Sequence, residues 1–268
     1  SNSASSRFDD TNNLINQSSV SEDATVDNLA VGLESYISRR FKKKGEYLSL
    51  WVETNIDNSA ADEIFKSNVT YFDSTPNENV DQTKSDENKN YGIQSSLNFS
   101  KVLSGNWYYL LGMKVEYDNS RRDRQAYDFN IVDQEYNLVN TNLTNDYRTT
   151  SVQYNPSAGI RYRKDKLSIR FSMGYNFTEL NNRDLLQGNR LTSKFDNLSF
   201  RASIWKRFTQ GKSLWLNLSN YSDAPLVSQL QPVQDNSNPL NTIVGNPNLK
   251  ATQRTYFNMN YNNFNMKS

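Results

Sequence analysis

From Val152 to Phe177 the chain alternates apolar and polar residues almost without exception, and no other pattern in it restricts the fold so severely. Successive strand side chains point to opposite faces, so Val152, Tyr154, Pro156, Ala158, Ile160 and Tyr162 share one face against Gln153, Asn155, Ser157, Gly159 and Arg161. After the charged turn Arg163-Lys164-Asp165-Lys166, the second arm sets Leu167, Ile169, Phe171, Met173, Tyr175 and Phe177 against Ser168, Arg170, Ser172, Gly174, Asn176 and Thr178. Each arm has about 11 residues, the length a tilted strand needs to cross a bilayer's hydrocarbon layer. The aromatic residues gather toward the ends of the apolar stripe, as an interfacial girdle requires. Half-buried strands of a soluble sandwich alternate too, so repetition along the chain has to decide.

The alternation does recur. Residues 1–25 are polar and read as a loop segment, and residues 26–268 read as one β unit. A first strand at 26–41 carries Leu29, Val31, Leu33, Ile37 and Phe41 on one face, and Lys42-Lys-Lys-Gly45 is its turn. Its partner starts at 46 with Leu48, Leu50, Val52 and Ile56, and the pattern continues through Ile64 to Phe72, projecting beyond any membrane. Strands follow at 91–103, from Trp107 to Tyr117, in the hairpin already described, around Leu198 to Phe208, around Leu214 to Leu218, and around Phe257 to Tyr261. Turns near 42–45, 104–106, 163–166 and 209–212 are short, whereas the connections 73–90, 118–146, 181–194 and 223–253 read as long polar loops. Short turns on one rim and long loops on the other characterise outer-membrane barrels, and a sandwich has no reason to segregate them. The expectation is an all-β, antiparallel up-and-down meander of about nine to ten strands forming a partial transmembrane β-barrel.

Composition agrees and excludes much else. Apolar residues make up 35% of the chain, below the soluble average of about 45–50%, yet 16 Tyr, 13 Phe and 4 Trp are too many for a disordered chain. The net charge of +1 implies neither a nucleic-acid footprint nor a basic membrane-surface patch. With no cysteine there is no disulfide scaffold or thiolate site, and with no histidine there is no Ser-His-Asp arrangement or usual zinc site. No apolar run is long enough for a membrane helix. Residues 1–6 lack a basic or apolar leader, so the stretch is expected to be an internal portion of an exported protein.

The connection after Leu218 is the most specific part of the chain. It contains Pro225, Gln229-Leu-Gln-Pro232, Asp235-Asn-Ser-Asn-Pro-Leu240 and Gly245-Asn246-Pro247-Asn248-Leu249-Lys250, followed by a tyrosine-rich strand. This resembles the TonB-dependent receptors, in particular the Bacteroides-type outer-membrane β-barrel family, whose members often continue the last segment with Pro-Glu where Ala251-Thr252 stands here. The motif covers about a tenth of the chain. The resemblance implies a larger barrel with an N-terminal plug, importing a scarce nutrient with energy from TonB. Its implied partners are outer-membrane lipid, the plug domain and remaining barrel strands, TonB through an N-terminal part outside this stretch, and an unidentified siderophore, glycan, peptide or similar nutrient. Strands at the two ends would then be open edges.

Candidate functional residues follow from the faces. If the apolar faces meet lipid, Lys114, Glu116, Arg161, Arg170, Arg201 and Arg207 line the interior; such charges generally join networks on the wall, and substrate contact is their lesser role. The aromatic residues Tyr71, Phe72, Tyr127, Tyr136 and Tyr221 are placed on loops, where they could stack on a ligand. The carboxylate pairs Asp62/Glu63, Asp86/Glu87 and Asp133/Glu135 fall in expected loops with no apolar pocket to raise a pKa, so no enzyme activity and no cofactor are expected. Asp73, Glu78, Asp81, Asp86 and Glu87 offer oxygen ligands without EF-hand spacing. The rival is a soluble or surface-exposed β-sandwich binding carbohydrate or protein, which would bury Leu167, Ile169 and Phe171.

Overall fold

The computed structural model describes residues 1–73, 75–225, 227–230, 234–235, 243–246 and 248–264. Its strands are β1 (Asn2–Phe8), β2 (Leu14–Arg40), β3 (Tyr47–Tyr71), β4 (Glu78–Ser104), β5 (Trp107–Asn130), β6 (Glu135–Val139), β7 (Asn145–Lys164), β8 (Leu167–Asp184), β9 (Arg190–Thr209) and β10 (Lys212–Asp223). A single helical turn, α1 (Val227–Leu230), the two-residue pair β11 (Gln234–Asp235) and β12 (Ile243–Val244), and β13 (Thr252–Asn263) complete the chain. Ten strands form one antiparallel meander in the order β1-β2-β3-β4-β5-β7-β8-β9-β10-β13, with β6 added beside β5. The sheet does not close, and β1 and β13 are its edges.

The alternation decides which face meets what. Ile160, Phe171, Met173 and Phe177 are 41–49% exposed on the apolar face of the β7–β8 hairpin, where a sandwich would have covered them. Leu29, Val31, Leu33 and Ile37 of β2 continue this band. From Trp107 to Tyr117, at roughly 3.3 Å per residue and a tilt of about 40°, the band is about 25 Å tall, the height of an outer-membrane apolar belt. Aromatic pairs edge it: Trp107 against Tyr162 (ring centroids 5.0 Å apart) and Phe99 against Tyr109 (5.8 Å) near the short turns, and Tyr175 against Phe177 (4.7 Å) at the other end. The polar faces of β4, β5, β7, β8, β9 and β10 together line an open hollow of about 610 Å³. Apolar side chains therefore face outward and polar ones inward, the reverse of a water-soluble domain.

Three expected loops and the N-terminal segment are largely strand. Residues 2–8 and 14–25 belong to β1 and β2, where a polar loop over 1–25 was expected. Residues 78–90 belong to β4, 118–130 and 145–146 to β5 and β7, and 181–184 and 190–194 to β8 and β9. The register is unbroken, from Tyr47↔Ser100 to Val69↔Glu78 in β3–β4 and from Trp107↔Tyr162 to Arg124↔Asn145 in β5–β7. Beyond the lipid band both faces of a strand can be polar, so the apolar period vanishes while the ladder of backbone hydrogen bonds continues. The asymmetry between the rims is thus in strand projection as much as in loop length. At the far end, Asp9 closes the β1–β2 turn by accepting from the backbone N–H of Asn13 (2.8 Å), the Thr11 hydroxyl (2.8 Å), the Asn13 side-chain amide (3.0 Å) and the Thr11 N–H (2.9 Å), and these bonds hold its carboxyl down to about 2.

Pro156 sits inside β7, where proline removes a ladder donor. Pairing with β8 passes from Tyr154↔Phe177 to Ser157↔Gly174 and omits Asn155 and Pro156, while pairing with β5 keeps Met113↔Pro156. The missing donor is thereby confined to one seam, and the Asn155 side chain bridges it by donating to the Asn176 side-chain oxygen.

Candidate functional site

The inward wall is the surface on which function can be built. Cross-strand register places Arg161 opposite Arg170, and Arg201 opposite both Ser172 and Ser219. Three arginines on three successive strands therefore occupy neighbouring positions in the half of the wall nearer the short turns. Among the described residues none of the three has a carboxylate within ion-pair distance, whereas Lys114 pairs with Glu116 at 2.7 Å and Arg254 with Asp223 at 3.5 Å.

Each arginine is held differently. Arg161 stacks on Tyr108, its guanidinium carbon 4.6 Å from the ring centroid, and donates to the Gly45 carbonyl at 3.2 Å and the Ser100 hydroxyl at 3.3 Å. It ties β7 to the β2–β3 turn, across β5 and β4. Arg201 donates to the Tyr221 hydroxyl at 2.8 Å, and Tyr221 meets Tyr256 edge-on at 5.8 Å. Among the described residues Arg170 has no such anchor, and its Nε, like that of Arg161, is shielded and meets no protein acceptor there.

The expected site residues do not converge as a group. Tyr221 was placed on a loop, but it lies in β10 on the same face as Asn217 and Ser219, so the structure brings it to Arg201. Pairing of β10 with β9 stops at Ser219↔Arg201, and the Arg201–Tyr221 contact bridges the seam just beyond that point. Tyr71 ends β3 and Phe72 is exposed in the following turn, while Tyr127 lies in β5. Tyr136 of β6 packs on Phe129 (5.2 Å) and donates to Asp81 at 2.7 Å. Tyr127 and Tyr136 are thus strand residues as well, and the four projecting aromatics are distributed along the far end. Arg207 sits at the short-turn rim, 5.4 Å from the Trp205 ring.

Several of the acidic candidates are held by cations, Glu63, Asp81, Asp86 and Glu87 among them. Asp62, Glu63, Asp86 and Glu87 stand in β3 and β4, not in loops. Asp86 accepts from Arg124 (2.7 Å) and Arg122 (3.2 Å), Asp81 from Lys66 (3.0 Å), and Glu63 from Lys84 (3.0 Å). No group of three metal-ligating side chains converges among the described residues. In the segment 245–250, the Asn246 N–H donates to the Gln229 carbonyl at 2.6 Å, the Asn246 side chain accepts from the Asn248 N–H at 2.9 Å, and the Leu249 N–H donates to the Asn246 carbonyl at 3.3 Å. Gly245 and Lys250 flank this turn; Pro247, Gln231-Pro232 and Asn236–Leu240 lie outside the described residues.

An outward apolar band about 25 Å tall, aromatic edges and a polar interior define a transmembrane β-barrel wall of the bacterial outer membrane. The outer membrane protein beta-barrel family matches the chain over residues 39–268, and the chain belongs to that family. Among solved structures it is similar to the ferric citrate transporter FecA in its unliganded form, at 9% identity and a TM-score of 0.43. The similarity covers 82% of this chain and 41% of that one, so the chain spans about two fifths of the transporter's length. No curated protein matches.

Proposed function

We propose that this chain is part of the barrel wall of a TonB-dependent nutrient receptor of the Bacteroides type. The observation that carries the reading is the open polar hollow of about 610 Å³, along whose wall Arg170 and Arg201 stand beside Arg161 on successive strands, none of them with a carboxylate within ion-pair distance among the described residues. The guanidinium groups along the hollow suit the oxygen-rich surfaces of siderophores, glycans or peptides. The Gly245–Lys250 motif supports the same reading through its resemblance. In this account loops and wall capture the ligand, a plug domain supplied by the rest of the protein blocks the lumen, and TonB drives the plug's rearrangement. The role in this reading is non-catalytic, and Glu63, Asp81 and Asp86 are held in ion pairs toward the strand ends.

Uptake by cells carrying the full-length protein tests this. A panel of ferric siderophores, oligosaccharides and peptides should include one solute accumulated against its gradient, with accumulation stopping when the proton-motive force is collapsed. Arg170→Gln should then raise the half-saturating concentration about tenfold, the size of a lost charged hydrogen bond, at unchanged surface abundance. Entry of many small solutes, insensitive to the proton-motive force, would instead mark a passive porin.

A further inference from the structure

The four short connections at 41–46, 105–106, 165–166 and 210–211 lie on one rim, and backbone bonds chain neighbouring ones together. The Arg163 N–H donates to Asn106 at 2.9 Å, and the Arg207 N–H to Lys166 at 2.9 Å. The Tyr108 hydroxyl reaches the Lys44 carbonyl at 3.0 Å. Within residues 39–46, 101–107, 163–167 and 206–212 stand 12 of the chain's 30 basic residues and only 2 of its 29 acidic ones, Glu46 and Asp165. The rim therefore carries +10 in a chain whose net charge is +1, leaving −9 for everything else. The net charge, which by itself implies no basic membrane-surface patch, averages two segregated regions.

All twelve rim cations are exposed. Among the described residues none takes part in an ion pair, and every ion pair lies elsewhere on the sheet. Four of the twelve occupy equivalent places. In four of the strands that run toward this rim a cation stands near the end of the outward apolar column: Arg39 in β2, Lys101 in β4, Lys164 in β7 and Lys206 in β9, with Phe41 and Phe208 one step further along the same face; β13, which runs the same way, has Asn263 at its end. Their cross-strand partners are Leu48, Tyr109, Leu167 and Leu214. Arg39 lies 6.0 Å from the centre of the Phe41 ring and Lys206 lies 5.0 Å from that of Phe208, so the stems run along the aromatic girdle.

We propose that this rim is a binding surface for anionic phospholipid headgroups of the periplasmic leaflet. The four outward cations sit at the edge of the apolar belt, at the depth where headgroup phosphates lie, and long side chains there extend toward those phosphates. The remaining eight continue the positive surface around the turns, within about a Debye length of the same headgroup layer. An acidic periplasmic protein could meet Lys42, Lys43 and Lys44 but would leave the four outward cations unexplained. The inference rests on the barrel wall alone and stands whatever the lumen carries.

Trp107 provides the reporter, because it faces lipid beside the columns of Lys101 and Lys164. The protein is reconstituted in phosphatidylcholine vesicles containing an equal fraction of either brominated phosphatidylglycerol or brominated phosphatidylcholine. Trp107 emission is taken as the difference from a Trp107→Phe variant. The proposal predicts a relative association constant about fivefold higher for phosphatidylglycerol, the size one cation contributes near an anionic surface. The ratio should fall toward one in high salt and in the R39Q/K101Q/K164Q/K206Q variant, and persist in K101R/K164R/K206R. Heat-shifted gel mobility verifies insertion of each variant; should the Gln variant fail to insert, the salt series and the Arg variant still decide. Equal quenching by the two lipids at low salt, or a preference that survives high salt or the four Gln substitutions, would overturn the proposal.

Discussion

Gly45 has a φ of +88°, a conformation that a side chain strains, and a Cβ there would stand 2.7 Å from the Tyr108 ring. The Tyr108 ring is in turn capped by Arg161, and the buried Ser100 hydroxyl donates to the Gly45 carbonyl at 2.9 Å. Gly45→Ala should therefore destabilise the inserted protein by about 1–3 kcal/mol, whereas Tyr108→Phe, which loses only the bond to Lys44, should cost about 0.5–1.5 kcal/mol. Urea titration in lipid vesicles measures both. Asp86 provides a pH test outside the membrane. Partial burial pushes its carboxyl up, but the hydrogen bonds and charges of Arg124 and Arg122 prevail and hold it below the ordinary value of 3.8. Because the folded pKa is depressed, the carboxylate's contribution is complete above the unfolded value and disappears as pH falls through the folded one. Hydrogen-exchange protection at 84–88 and 122–126 should decline below about pH 4, and Asp86→Asn should remove that dependence while lowering protection at neutral pH. At this scale the sequence exposed the arginines of the wall through strand parity, but not their partners. Tyr221 was misplaced because the apolar column of its strand ends at Leu218, after which nothing apolar signals that the strand continues.

Single strands were legible where they cross lipid and illegible beyond it. Inside the belt one face must be apolar, so Leu167, Ile169, Phe171 and Met173 announce β8; above it Asn181, Asn182 and Arg183 pair as strictly with β7 and β9 yet carry no period. The same logic predicts opposite tolerances on adjacent faces. Met173→Arg, near the middle of the belt, should cost about 2–4 kcal/mol in lipid refolding, and Ser199→Arg, which faces the hollow, about 1 kcal/mol or less. Equal costs would mean that both faces meet the same environment.

Among the described residues the chain is an open sheet with β1 and β13 at its edges, a basic rim and a net negative remainder. Its membrane character was legible because alternation, turn asymmetry and girdle aromatics coincide in four hairpins. Its charge segregation was not, because cations from four separated turns converge only once register is fixed. The central claim is that the apolar face meets lipid, and collision accessibility tests it most directly. Spin labels on single cysteines at positions 168, 169, 170 and 171, placed one at a time in this cysteine-free chain, are read in the lipid-reconstituted protein. Oxygen collisions should be high at 169 and 171, with a polar nickel reagent reaching 168 and 170. Shielding of 169 and 171 from both reagents, in a protein that stays monomeric without detergent, would contradict the account and point to a soluble sandwich.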